Sequence, residues 1–490
     1  MGICSKPDKA STIAKKKAGD KKIGDPAKPC PKEEAHIVSI AWLDGGDDKT
    51  VAGADQWVNL PREDKWVNND EIKNKDRLGM RPRLKVKFDK KGSHSFKVKL
   101  LPPTGTAAYS TSEKSRNPNF KYTEAEKSFT TDADGSKIID GDFQLVAGGG
   151  FKFTAEAKDQ KGKKVTTGTL TTKRLFYYLE AKMTGLTSAL SSTTAVESEY
   201  AKHHMKLKKL PALSIAHQSN IDANNTDSST LSTNVTTAVD ANAAAKAKKK
   251  YLLTIAYTDH LAVKNANVTL SKQPVDVGPG KAKVVIPVTA RGLLSPHTVD
   301  TRYLWHDIVS GEGWFVEAKF HKDGGGVTTI PAGKVSHKGT GNYWNQVEID
   351  VTGLAAGRGK IEVKVNVVDR MRGGVALGGA NQICVCTRSW WSNESESCQK
   401  CTVIHEIGHK VGMVANGSGI LPDKVATHYS GKGHAGDHCY KGCAAGATNY
   451  STTANLNASQ CVIFGSVNEK TAFCSNCEKA VKKLDINSGW

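Results

Sequence analysis

His405-Glu406-Ile407-Gly408-His409 is the segment of this 490-residue chain whose residue types and spacing are best suited to chemistry. On a helix, histidines at i and i+4 share one face, where both imidazoles reach a single zinc ion at about 2.0–2.1 Å. Glu406, beside the first ligand, can then take the proton of a water as that water attacks a carbonyl. At the His and Glu frequencies of this chain, chance supplies only about 0.02 matches to H-E-x-x-H. The flanks predict a buried helix: Val403, Ile404, Ile407 and Val411 give an apolar surface, and Asn416-Gly417 is a stop signal with Pro422 beyond. Lys410 follows the second histidine and is expected to snorkel from the helix edge.

A catalytic zinc needs a third protein ligand and one open position. The segment from His428 to Cys439 holds three histidines and an aspartate in twelve residues, separated by glycines, so it can fold back onto the helix. Five of the chain's 15 histidines lie between 405 and 438. His434, flanked by Gly433 and Gly436, has the most room to approach a metal and ranks first. His438, which precedes Cys439, ranks second and His428 third, and the sequence leaves the choice open. Tyr429, Tyr440 or His428 is available to steady an oxyanion.

Cysteines crowd the same region. Nine of the 11 fall within the 94 residues from Cys384 to Cys477. Such density means disulfides in an oxidising place or metal ligation in a reducing one. The pairs Cys398/Cys401 and Cys474/Cys477 lie too far apart for one compact zinc ribbon, so disulfides stapling a Gly-rich domain are expected.

The elements that position this site change character along the chain. Residues 1–35 are Lys-rich and Pro-punctuated and read as a basic flexible arm. Residues 36–185 carry period-two runs such as Ser95 to Leu100 and Phe151 to Ala157, with a further run from Leu175 to Ala181. Asp134-Gly135, Asp140-Gly141 and Lys161-Gly162 supply the turns. This pattern predicts an immunoglobulin-like β-sandwich. Residues 186–248 lose the alternation and read as a linker, Ala-rich and helix-prone at 238–247. Strands resume at Tyr251–Tyr257, Val284–Val288, Gln346–Val351 and Ile361–Val367, giving a second β-rich domain over 249–370. Residues 371–490 form an α+β, cysteine-rich unit around the motif. The fold class expected is thus two mainly-β immunoglobulin-like sandwiches followed by a zinc-site domain.

Composition narrows the partners. Lys and Arg number 69 against 49 Asp and Glu, net +20, but residues 371–490 hold 11 basic and 8 acidic side chains, only +3. A basic face is therefore separate from the chemistry and suits an anionic surface. The Lys-rich runs lack interleaved aromatics, which argues against specific nucleic-acid readout. His203-His204, set among lysines, reads as solvated surface, and Trp390-Trp391 as core or rim. No run approaches the ~18–20 apolar residues of a membrane span. The first 22 residues have no apolar h-region, so no cleaved secretory signal is expected.

Residues 402–413, Thr-Val-Ile-His-Glu-Ile-Gly-His-Lys-Val-Gly-Met, resemble the zincin metallopeptidases. The chain departs from the metzincin pattern, which places His or Asp six residues after the second motif histidine; that position is Ala415. On the gluzincin pattern a later glutamate completes the site, and Glu469 is available for it. More broadly, the motif followed by Gly412-Met413, the glycine-spaced segment 433–439, the preceding Ile-Cys-Val-Cys-Thr-Arg-Ser-Trp-Trp at 383–391 and the β-rich front resemble metallopeptidase effectors of bacterial type VI secretion. That resemblance implies an antibacterial toxin, secreted without a cleaved signal and acting in the periplasm of a target bacterium. It also implies a cognate immunity protein and a secretion-machinery component as partners. The expected activity is zinc-dependent hydrolysis of a peptide bond in a protein or peptidoglycan peptide. His405 and His409 with His434 or His438 would hold Zn2+, with Glu406 as base and Tyr429 as oxyanion partner. The alternative is an envelope-binding or adhesion protein with a disulfide-stapled C-terminal domain and no catalysis.

Overall fold

Alternating apolar and charged residues build the front of the molecule. In Arg83–Phe88 and Ser95–Leu100 every second side chain (Leu84, Val86 and Phe88; Phe96, Val98 and Leu100) is buried, while the lysines between them face outward. The first strand lies in a four-stranded antiparallel sheet ordered Lys49–Val51, Ile37–Asp44, Arg83–Phe88, Ser136–Asp140. The second lies in a sheet ordered Lys164–Thr166, Ala155–Asp159, Ser95–Leu100, Lys127–Thr130. The Phe88 and Phe96 rings, one from each sheet, meet at 5.8 Å.

The computed structural model describes residues 34–44, 49–51, 53–59, 79–116, 118–186, 189–218, 220–222, 226–270, 272–288, 303–306, 310–340, 343–377, 381–389, 392–411, 434–435, 438–439, 441–442, 453–464 and 469–483. Residues 36–490 form one compact unit, which contains every described strand and helix.

A different sheet carries the motif. Its eight strands are β1 (Leu170–Met183), β2 (Met205–Lys209), β3 (Leu213–Ile215), β4 (Leu252–Thr258), β5 (Gly374–Ala376), β6 (Gln382–Cys386) and two short strands from the front, Ala54–Trp57 and Lys152–Phe153, which pair with the start of β1. β2 and β3 pair in parallel with successive halves of β1. On the other side of β1 lies β4, also parallel, then β6, parallel to β4, and last β5, antiparallel to β6. All residues of β4 and β6 are buried, as parallel strands covered on both faces require. This explains why Leu175–Ala181 and Tyr251–Tyr257 are apolar runs rather than strict alternations.

The parallel sheet corrects the expected organisation. Residues 186–248, expected as a linker, supply helix α1 (Thr194–Lys202), β2, β3, a strand at Asn220–Asp222, helix α2 (Thr226–Ala241) and the short helix Ala243–Lys248. β1 and β4, expected in two separate sandwiches, are hydrogen-bonded neighbours. The unit around the motif is therefore assembled from both sides of the second β region, because parallel pairing needs long crossovers that local patterning does not announce.

That second region, from His260–Thr269 to Gly357–Met371, is antiparallel, apart from the short strand Asn220–Asp222, which pairs in parallel with His260–Thr269. Ile361, Val363, Val365 and Val367 are all fully buried, the one-faced strand that alternation predicts. The described molecule is thus β-rich, with several sheets and few helices. No described helix is long and apolar enough to cross a membrane.

Candidate metal centre

The motif lies on helix α3 (Glu396–Lys410). Ser395 caps it, its hydroxyl accepting from the Cys398 amide at 3.1 Å, and Glu396 in the first turn is joined to Ser191. Val403, Ile404, Ile407 and Val411 are all fully buried, as the sequence predicts. The helix packs on β5 and β6 and against α1. The Tyr200 hydroxyl of α1 donates to the Ile404 carbonyl at 2.8 Å, one residue before the first motif histidine. The predicted stop at Asn416-Gly417 lies outside the described residues.

Three imidazoles converge at the C-terminal end of this helix. Ligand nitrogens of His405, His409 and His438 all lie within 4.8 Å of one another, and all three residues are partly exposed. The Nε2 atoms of His405 and His409 stand 2.9 Å apart. With bonds of about 2.0–2.1 Å, that separation subtends about 90° at a shared metal, within reach of one ion. The Nδ1–H of His405 donates to the Val462 carbonyl at 2.8 Å, leaving the Nε2 lone pair for a cation. Burial, then the neighbouring His438, push the His405 pKa down to about 3, so it is neutral, as a ligand must be. The donor set fits a divalent transition metal, and the partial exposure leaves room for a further ligand.

Glu406 is buried beside edge strand β5. Burial raises its carboxyl to about 8, opposed by the charges of Arg372 and Lys410 and by a hydrogen bond from the Ala376 amide. A Cβ added to Gly374 would meet Thr402 Cγ2 at 2.5 Å, the Cys384 carbonyl at 2.8 Å and Glu406 Cγ at 3.0 Å. Glycine is thus what lets the edge strand approach the helix at the general-base candidate. Lys410, expected to snorkel outward, instead donates to the Leu377 carbonyl at the end of β5, and burial lowers its pKa to about 8.

Of the three histidines expected as third ligand, His438 is the one whose side chain is described. His438 joins the motif pair. His434 sits on the partner strand of a two-stranded hairpin, opposite Cys439 in register; its side chain lies outside the described residues. His428, Tyr429, Tyr440, Trp390 and Trp391 are also outside them. Glu469 is exposed and receives the Cys398 thiol at 3.6 Å, near the opposite end of α3, so the glutamate-completed arrangement does not form.

Two further expectations need correction. His203 is buried, its Nε2 lying 3.2 Å from Glu199 and its ring against Phe473, because α1 backs the motif helix rather than facing solvent. The eight described cysteines, Cys384, Cys386, Cys398, Cys401, Cys439, Cys461, Cys474 and Cys477, carry no disulfide. Sequence reasoning missed Tyr200, Val462, Gly374 and Ala376. Only the glycine is of a type that could have been flagged, because the others act through a lone hydroxyl or through backbone groups.

No protein-family model matches this chain, and no curated protein does. Among solved structures it is weakly similar to a polysaccharide deacetylase from Bacillus cereus, at 14% identity and a TM-score of 0.12, covering 36% of this chain and 55% of that one. A cycloisomaltooligosaccharide glucanotransferase of Paenibacillus sp. gives 8% identity and a TM-score of 0.14 over 70% of this chain and 80% of that one. Superpositions this poor carry no inference about fold or function.

Proposed function

We propose that this chain is a zinc-dependent metallopeptidase that hydrolyses a peptide bond in a protein or a cell-wall peptide. The observation that carries this reading is the convergence of His405, His409 and His438 next to the carboxyl-bearing edge of helix α3. Zinc held there supplies Lewis-acid polarisation of a carbonyl, activation of a water and a positive charge that favours ionised Glu406. The chain's own groups do the rest. Val462 orients His405, and the Ala376 amide holds Glu406 so that it can take a proton from the attacking water and return it to the leaving amine.

A peptide substrate is favoured by the edge strand. Among the described residues β5 is paired on one side only, by β6, and an extended peptide can add to such an edge beside Glu406. In the same reading the antiparallel sheets ahead of and between the parallel strands are immunoglobulin-like binding modules. The resemblance to type VI effectors extends the proposal to an antibacterial toxin with an envelope substrate and a cognate immunity protein.

The test compares wild type and Glu406→Gln on casein and on purified sacculi, with zinc content measured for both. Retained zinc with turnover lowered about 10²–10⁴-fold is the expected result. Equal activity of the variant sinks the mechanism. Tight binding to sacculi with no turnover by either protein favours the envelope-binding alternative.

A further inference from the structure

We propose that Cys439, Cys461, Cys474 and Cys477 hold a second, structural zinc ion as a tetrathiolate, and that this ion positions the third imidazole of the metal centre. The four come from three places in the chain. Cys439 ends the short strand His438–Cys439, and Cys461 follows the helix Thr453–Ala458. Cys474 and Cys477 open helix α4 (Ser475–Lys483). All four are buried, at 0%, 0%, 6% and 2% exposure, and their sulfurs all lie within 4.8 Å of one another.

The spacing has the size of a metal cage. The Cys439 and Cys474 sulfurs are 3.8 Å apart. A tetrahedron of sulfurs at about 2.3 Å from zinc has edges of about 3.8 Å, whereas a disulfide requires about 2.05 Å. Four sulfurs around one point with no carboxylate or imidazole among them is a donor set for a soft or borderline cation, and zinc is the common occupant. The surroundings suit thiolates. The Cys474 amide donates to the Cys461 sulfur at 3.4 Å, and Cys474 and Cys477 sit at the start of α4, where the helix dipole favours negative charge.

The position of the tetrad gives it a consequence for the first site. His438 and Cys439 are adjacent on one strand, so their side chains leave on opposite faces: the imidazole goes to His405 and His409, the thiol to the other cysteines. Cys461 likewise precedes Val462, whose carbonyl orients His405. The Cys439 amide donates to the Ile463 carbonyl at 2.8 Å, tying these two segments together. A metal at the tetrad thus holds both segments by their adjacent residues. This positioning role rests on the three-histidine reading, whereas the tetrathiolate does not.

Elemental analysis of the full chain, purified without chelator, tests the proposal. Wild type should hold about two zinc ions per chain, and His409→Ala about one. Cobalt in place of zinc reads the donors: intense thiolate-to-cobalt charge-transfer bands should persist in His409→Ala and vanish in Cys477→Ser. Should Cys477→Ser fail to fold, a mercurial titration of wild type replaces it, with about four thiols consumed per zinc released from this site. In folded Cys477→Ser, zinc at the histidine site should bind about 10–100-fold more weakly; unchanged affinity overturns the positioning role. A wild type holding one zinc that His409→Ala abolishes, cobalt without thiolate bands, iron in place of zinc, or thiols missing under denaturation overturns the tetrathiolate. If His409→Ala instead keeps both ions, the peptidase reading fails while the cysteine site stands.

Discussion

The Nδ1 of His405 lies 2.8 Å from the carbonyl oxygen of Val462, 57 residues further along the chain. That bond selects the tautomer of His405 and turns its Nε2 toward His409 and His438. The first histidine of the motif is therefore oriented from outside its own helix, by the segment that also carries Cys461.

The three converging histidines should set metal affinity. Alanine at His405, His409 or His438 should each abolish zinc binding at this site, because each removes one of three converging donors. His434→Ala should leave zinc content unchanged. Equilibrium dialysis of the four variants checks this, and retention of zinc by His438→Ala with loss in His434→Ala would reverse the assignment.

Gly374→Ala should damage the site without touching a ligand. The added Cβ would press on the Cys384 carbonyl, Thr402 and Glu406 Cγ, and overpacking of this kind costs about 1–3 kcal/mol. Urea unfolding should show that loss, and turnover should fall by more than zinc content does. A variant as stable and active as wild type would mean that β5 is not held against α3.

Acid should loosen the helix that backs the motif. Burial alone would raise the Glu199 pKa, but hydrogen bonds from His203, Lys202 and the Phe473 amide overcome it and bring the carboxyl from 4.5 to about 2. A carboxylate depressed on folding contributes stability that is present above its unfolded value and lost as pH falls toward the folded one. Wild type should therefore lose stability between pH 4.5 and about 2, and Glu199→Gln should be weaker at pH 7 but flatter across that window. Parallel acid slopes for the two proteins, by thermal melting, would remove Glu199 from the account.

Tyr200→Phe isolates one hydroxyl. It deletes the bond to the Ile404 carbonyl and leaves the ring in place, at a cost of about 0.5–1.5 kcal/mol. Zinc content should be unchanged, and a modest drop in unfolding midpoint is the expected readout. No change in midpoint would show that the helix pair is held by apolar packing alone.

What the sequence determined by itself is local. The i, i+4 spacing of His405 and His409, the apolar positions at 403, 404, 407 and 411, and the alternation in Ser95–Leu100 and Ile361–Val367 each depend on neighbours within one or two turns or along one strand. All of these are found in the structure. The third ligand and the partners of the cysteines lie beyond it, because His434 and His438 have nearly identical glycine-rich surroundings. Only the fold brings the His438 imidazole to the motif helix. Residues 186–248 escape a local reading for the same reason. β2 and β3 are short and polar on one side, and they become part of the sheet through parallel pairing with β1, a contact whose entropy of closure is offset only once the distant strands are in place. The tertiary structure alone showed that the His438 imidazole meets the motif pair, that four thiols converge, and that β4 and β5, which frame the second β region, belong to the sheet on which α3 packs.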